Sequence, residues 1–136
     1  MLLPALEIAT RAATELVEIT ALVRAALRKS GVESGVLVAY VPHTTAGITV
    51  QENADPDVRA DLLLALASAV PARPPGGAYR HAEGNSDAHV KASLVGSSAT
   101  IVVDRGELVL GTWQGVYLCE FDGPRTRKVL LKVLAG

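Results

Sequence analysis

Short apolar runs, alternating or continuous, dominate the chain and mostly predict β-strands. In the first half, the expected strands cover residues 3–9, 36–41 and 48–50. In the last third, they cover residues 100–103, 107–110, 112–121 and 127–134. Turn sequences at Asp104-Arg105-Gly106 and Asp122-Gly123-Pro124 separate several of them. We therefore expect consecutive strands to pair antiparallel, as strands joined by short turns do.

Residues 14–19 fit two different elements. A stripe of apolar residues at helical spacing from Leu16 to Leu27 favours a helix, whereas the alternation around Val17 favours a strand. We predict a hairpin with the first strand, followed by a helix that has Thr20 as its N-cap. The helix should end just before Gly31, with Arg28 and Lys29 in its last turn.

Two further helices are expected in the middle of the chain. Asp55-Pro56-Asp57 combines a capping side chain, a proline at the first helical position and a negative charge in the first turn. Pro71 should end this helix. Its predicted buried stripe consists of Val58, Leu62, Leu66 and Ala69. Residues 71–78 predict an exposed loop, because they are rich in proline and glycine. A shorter helix should run from Ser86 to Gly96, with Val90 and Leu94 facing inward.

These elements predict an α+β fold for residues 1–136. We expect one domain, with a mainly antiparallel β-sheet or sandwich and two to three helices. The length of 136 residues suits one core rather than two.

Composition narrows the possible classes of protein. The chain is 49% hydrophobic and 20% charged, which excludes an intrinsically disordered protein. Its net charge of −1 argues against nucleic-acid binding by counterion release.

The sequence also bears on the compartment of the protein. The longest apolar run, residues 62–67, is too short for a membrane span, and the N-terminus lacks a signal peptide's basic region. Cys119 is the single cysteine, so no intrachain disulfide can form, and we expect a soluble cytoplasmic protein.

The three histidines are the first candidates for chemistry. His43 ends an apolar strand, His81 follows the proline-rich loop, and His89 lies in the first turn of the predicted short helix. Zinc often takes imidazole ligands, and catalytic zinc sites combine three protein ligands with one open position. The spacing matches no standard zinc motif, so structural or surface histidines remain an alternative.

Other candidate residues also have two interpretations. Trp113 and Gln114 stand between glycines and would either present a stacking face and an amide beside a pocket or fill a bend in the core. Arg125 would bind phosphate in bidentate fashion, with Arg127 or Lys128 assisting, or carry charge on a surface turn. Thr44 and Thr45 would likewise bind phosphate oxygens or close a loop.

Several blocks of the sequence, in order over nearly the whole chain, resemble the YjbQ-like family. The blocks are His43-Thr44-Thr45-Ala46-Gly47-Ile48, Glu52-Asn53-Ala54-Asp55-Pro56-Asp57-Val58 with Asp61, Tyr79-x-His81, Gly84-Asn85-x-Asp87-Ala88-His89 with Lys91, Gly96 and Ser98, then Gly111-Thr112-Trp113-Gln114 and Glu120-x-Asp122-Gly123-Pro124-Arg125.

The resemblance implies an α+β homotrimer with a site for a small phosphorylated or heteroaromatic molecule. Members are labelled secondary thiamine-phosphate synthase, a metal-dependent transferase activity that couples a pyrimidine pyrophosphate to a thiazole phosphate. The resemblance implies that His43, His81 and His89 are catalytic residues and ligands of a divalent metal ion, with zinc as the candidate. The implied substrate-binding residues are Thr44, Thr45, Asn85, Trp113, Gln114 and Arg125. A non-catalytic trimer that binds a metal or a small phosphorylated ligand is the alternative.

Overall fold

A computed structural model describes all residues, 1–136, as three helices and eight strands. The helices are α1 (Thr20–Ser30), α2 (Pro56–Ala69) and α3 (Ser86–Val95). The strands are β1 (Leu6–Ala9), β2 (Glu15–Glu18), β3 (Gly35–Tyr40), β4 (Ala46–Glu52), β5 (Ser98–Asp104), β6 (Glu107–Leu108), β7 (Gln114–Glu120) and β8 (Thr126–Ala135). None of the helices has the length and hydrophobicity needed to cross a bilayer.

The strands form two antiparallel sheets, which confirms the α+β sandwich. One sheet has the order β1-β8-β3-β5-β6, and the other has the order β2-β7-β4. The main core cluster contains 18 buried residues, all of them aliphatic, most of which belong to the two sheets and to α1. Its scarcity of aromatic side chains follows from the composition, in which only 4% of the residues are aromatic.

The predicted hairpin of the first two strands is wrong. β1 pairs with β8, whereas β2 pairs with β7 in the other sheet. The turn between them carries the chain across the sandwich, and the Glu15 carboxylate accepts hydrogen bonds from the Arg11 and Ala12 amides there. β7 and β8 are also split between the sheets, so the Asp122 turn is another crossing rather than a hairpin. Among consecutive strands, only β5 and β6 pair with each other.

The ends of α1 lie close to their predicted positions. Ile19 rather than Thr20 is the N-cap, and the Thr20 hydroxyl instead accepts a hydrogen bond from the Val116 amide of β7. At the other end, Gly31 adopts φ +71°, a left-handed conformation that glycine takes without steric cost.

The predicted inward faces of α2 and α3 need correction. α2 begins as expected, since the Asp55 carboxylate accepts a hydrogen bond from the Asp57 amide, but no residue of this helix is fully buried. Val58, Leu62 and Leu66 are half-buried, and Ala69 is exposed. In α3, Val90 and Leu94 are exposed, while Ala88, Lys91 and Ala92 are buried. Each helix is covered by the sheets on one side only, and periodicity does not reveal which side.

Candidate functional site

Two adjoining cavities open at one end of the sandwich, and His43 and Thr44 line both. The first cavity, about 520 Å³, is also lined by Tyr40, Pro42, Thr45, Arg125 and Arg127. The second, about 340 Å³, is also lined by Ala46, His89, Ala92, Ser93, Gly96 and Ser97. Both volumes are in the range of small-molecule sites. We call them the arginine cavity and the serine cavity.

His43 occupies a gap in the sheet. β3 ends at Tyr40, opposite Leu130, and the continued register would place Pro42 opposite Lys128. The side chain of His43 replaces the missing strand partner, because its Nε2 accepts a hydrogen bond of 2.9 Å from the Lys128 amide. A ring that accepts through Nε2 carries its proton on Nδ1 when neutral. Nδ1–H is therefore the donor that His43 retains.

The environment of His43 favours the neutral imidazole. Burial lowers the pKa of His43 below its usual value, and the positive charges of Arg127, Arg125 and Lys128 lower it further. The negative charge of Glu120 opposes these effects but does not cancel them. A protonated ring would also have no lone pair with which to accept the Lys128 amide.

We expect the protein to lose stability when the pH falls below 6.5, the usual histidine value. In the window between the lowered folded pKa and the unfolded pKa, the unfolded chain binds the His43 proton and the folded chain does not. His43→Gln should flatten the stability curve in that window, whereas His81→Gln, the control at an exposed histidine, should not. Urea unfolding measured by circular dichroism across this pH range tests the prediction. Equal slopes for His43→Gln and the wild type would contradict it.

A buried ion pair forms the wall behind the arginine cavity and connects the two sheets. Glu120, at the end of β7, is fully buried and pairs in bidentate fashion with Arg127 of β8. Arg127 Nη2 also donates to the hydroxyl and carbonyl oxygens of Thr45. The Thr10 hydroxyl donates to Glu120 Oε2, which also accepts from Arg127 Nε. The network thus holds together Thr10, which follows β1, Thr45, which precedes β4, and residues of β7 and β8.

The network keeps Glu120 charged. Burial by itself would raise the pKa of Glu120, but hydrogen bonds from Arg127, the Asp122 amide and Thr10 outweigh burial, and the pKa is lower than usual. The Arg127 guanidinium is consequently held in place, and its Nη1 has no partner within the chain.

Arg125 is positioned by a second, more exposed group. Its Nη2 lies 2.9 Å from the Asp122 carboxylate, and its Nε donates to the Asp122 carbonyl. Asn85, which precedes α3, donates from Nδ2 to the same carboxylate at 2.8 Å. Asn85 lines neither cavity but connects α3 to the Asp122 turn, and its buried Oδ1 has no hydrogen-bond partner.

The three histidines are neighbours but do not form a metal centre within one chain. The His81 and His89 rings meet edge to face, with centroids 5.6 Å apart, and His43 lies across the serine cavity from His89. No three His, Cys, Asp or Glu side chains are grouped as ligands for a metal ion. His43 would also have to give up the Lys128 amide to coordinate through Nε2. The residues of one chain, as arranged, do not fit the metal that the family resemblance implies.

Trp113 and Gln114 lie away from the histidines. In the β4–β7 pairing, Ala46 lies opposite Glu120, and Glu52 lies opposite Gln114. This ladder separates the two ends by about 20 Å, six residues at about 3.3 Å each. Trp113 is 63% exposed, so it neither fills the core nor contacts either cavity within the same chain.

Two parts of this site were not predicted from the sequence. Glu120 interrupts a run of buried apolar residues in β7, and a charge at such a position requires a partner, which was a usable signal. Ser93 and Ser97 of the serine cavity carried no motif. Their role follows only from where α3 meets β4.

Comparison with known proteins places the chain in a family. The model of the family described as UPF0047 protein YjbQ-like matches residues 4–136. The chain belongs to the YjbQ-like UPF0047 family. This membership confirms the resemblance of the sequence blocks.

Individual relatives agree along almost their full lengths. The UPF0047 protein YugU of Bacillus subtilis is 48% identical, with 98% of this chain and 99% of the relative covered. A UPF0047 protein of Methanocaldococcus jannaschii is also 48% identical, over 94% of this chain and 91% of the relative.

Solved structures show the same fold. A YjbQ/UPF0047 crystal structure from Clostridium acetobutylicum has a TM-score of 0.92 and 50% identity, covering 96% of this chain and 99% of that one. A YbjQ-like protein from Sulfolobus solfataricus has a TM-score of 0.91 and 30% identity, covering 98% and 96%. The fold of this UPF0047 protein is therefore shared by bacterial and archaeal relatives, whose names state no activity.

Proposed function

We propose that this UPF0047 protein binds a small phosphorylated ligand in the arginine cavity. The proposal rests on hydrogen-bond donors that line this one cavity and are available to a ligand. Arg127 Nη1 and the Thr44 hydroxyl have no partners within the chain, and the Arg125 side chain is 53% exposed. Guanidinium groups match the geometry of phosphate oxygens, so these donors suit a phosphoryl group.

The local charge supports an anionic ligand. Three cations, Arg125, Arg127 and Lys128, lie near His43, and two carboxylates, Glu120 and Asp122, pair with the arginines. Because a neutral His43 adds no charge, one positive charge remains after pairing. His43 Nδ1–H would add an uncharged donor.

Arg125→Gln should weaken the binding of inorganic phosphate by about 10- to 100-fold, the effect of losing a charge-assisted hydrogen bond. Arg28→Gln is the matched control, because Arg28 is also an exposed arginine in an ion pair, with Glu107 at 3.3 Å. Isothermal titration calorimetry at low ionic strength measures both affinities. The proposal fails if the wild type does not bind phosphate, or if the two variants bind it equally well.

Thiamine-phosphate synthesis is a second candidate for the same cavity. A coupling that releases pyrophosphate needs positive charge near the departing group, and Arg125 and Arg127 would supply it. Trp113 of the same chain is too far away to stack on a heteroaromatic ring, which favours binding over this activity. Pyrophosphate release from the two substrates, measured with the wild type and with Arg125→Gln, tests the candidate. Metal analysis of the purified protein tests whether a divalent ion is held by His43, His81 and His89.

We also propose a homotrimer that works in the cytoplasm. The outward side of the larger sheet exposes Tyr40, Val102 and Leu134. Apolar surfaces of this kind are commonly covered by a second subunit. Sedimentation equilibrium measures the number of subunits directly.

A further inference from the structure

The serine cavity is lined by polar and small side chains. His43, Thr44, His89, Ser93 and Ser97 supply its polar groups, and Ala46, Ala92 and Gly96 supply the rest of its lining. It contains no arginine, lysine or carboxylate. Its chemistry therefore differs from that of the arginine cavity, although the two share His43 and Thr44.

Several of these polar groups are unused within the chain. The Thr44 and Ser97 hydroxyls and the His89 ring nitrogens form no intramolecular hydrogen bond. Ser93 donates to the His89 carbonyl at 3.0 Å, so its oxygen can still accept. The cavity thus offers donors and acceptors together. A group rich in hydroxyls needs this combination, because each hydroxyl both donates and accepts.

The tight contact between α3 and β4 explains why these groups converge. His89 and Ser93 are four residues apart and share one face of α3. At the end of the helix, the Gly96 carbonyl accepts a hydrogen bond from the Ile48 amide of β4. A Cβ atom at Gly47 would lie 2.7 Å from the Gly96 carbonyl oxygen, so a side chain there would separate helix and strand. Glycine at position 47 allows the approach that brings Ser97 to His43 and Thr44.

We infer that the ligand is a phosphorylated polyhydroxy compound of the sugar-phosphate class. This inference rests on the proposed function: the phosphoryl group binds in the arginine cavity, and the hydroxylated part extends past His43 and Thr44 into the serine cavity. A flat heteroaromatic group would leave the hydroxyls of the serine cavity unpaired. It would also lack the stacking surface of Trp113, which lies at the other end of the β4–β7 ladder.

Isothermal titration calorimetry with four probes tests the inference. The probes are inorganic phosphate, glycerol 3-phosphate, ribose 5-phosphate and thiamine monophosphate. Ribose 5-phosphate should bind about 10-fold more tightly than inorganic phosphate, since it adds several hydrogen bonds of modest net strength. Glycerol 3-phosphate should lie between them, and thiamine monophosphate should bind no more tightly than inorganic phosphate.

Two serine variants test whether the tighter binding of ribose 5-phosphate arises in the serine cavity. Ser97→Ala should weaken ribose 5-phosphate binding by about 3- to 10-fold and leave inorganic phosphate binding unchanged. Ser98→Ala, the control at an exposed neighbour outside both cavities, should change neither affinity. Unchanged ribose 5-phosphate binding in Ser97→Ala would overturn the inference.

The outcomes separate this inference from the proposed function. If inorganic phosphate binds in an Arg125-dependent way but the hydroxylated probes gain nothing, only the sugar-phosphate assignment fails. Tighter binding of thiamine monophosphate than of ribose 5-phosphate also overturns only that assignment. If no phosphorylated probe binds, the proposed function and the inference fail together.

Discussion

Arg127→Met is expected to lower the free energy of unfolding by about 3–5 kcal/mol, the usual cost of removing one partner from a buried ion pair. Arg127 is 3% exposed, and Glu120 is fully buried. The substitution would leave the Glu120 carboxylate without its guanidinium and would remove both hydrogen bonds from Nη2 to Thr45. The large effect follows because an unpaired buried charge loses its hydration without compensation.

A second substitution identifies the charge as the cause. Glu120→Gln in the Arg127→Met background removes the orphaned charge but retains an oxygen that can accept from Thr10 or the Asp122 amide. Residues in direct contact typically couple by about 0.5–3 kcal/mol, so the double variant should be less destabilised than the two single losses together. Urea unfolding of all four proteins near neutral pH completes the cycle. If the two single losses of unfolding free energy simply added in the double variant, Glu120 and Arg127 would not interact, contrary to the structure.

Leu118→Ala should lower the free energy of unfolding by about 2–5 kcal/mol, the range for a buried leucine truncated to alanine. Leu118 lies in the middle strand of the smaller sheet, between Val17 and Ile48, and is completely buried. The truncation removes apolar contacts and leaves a cavity in an entirely aliphatic core.

Leu64→Ala is the matched control. Leu64 lies on α2 and is 67% exposed, so its truncation should change the stability by no more than about 0.5 kcal/mol. Thermal or urea unfolding at low protein concentration compares the two variants. A loss at Leu64 as large as that at Leu118 would contradict the exposed position of this side of α2.

Local sequence chemistry predicted the elements themselves. The cap at Asp55, the proline at position 56 and the glycine at position 31 act on backbone groups within one turn, so their effects appear in the sequence nearby. The strands were also found, with shifted ends, because alternation and apolar runs are local patterns. Membership of the YjbQ-like family followed from motif blocks spread along the chain.

Strand pairing and burial were decided beyond the local sequence. A hairpin for β1 and β2 was the simplest prediction, but each strand gains a longer partner, β8 or β7, in a different sheet. The inward sides of α2 and α3 depended on which sheet surface each helix meets. An apolar stripe such as Val58, Leu62 and Leu66 shows that a face can be buried, not that something covers it.

The sequence by itself determined the α+β class, the helix ends, the family and the residue types at the site. The tertiary structure alone decided which of those residues meet. It joins His43 to Lys128 beside the end of β3 in the larger sheet, and it joins Glu120 to Arg127 between the two sheets. It leaves Trp113 at the far end of the β4–β7 ladder. The physical reason is that these contacts depend on the register of strands distant in sequence and on where the chain crosses from one sheet to the other. Neither property leaves a local signal in the sequence.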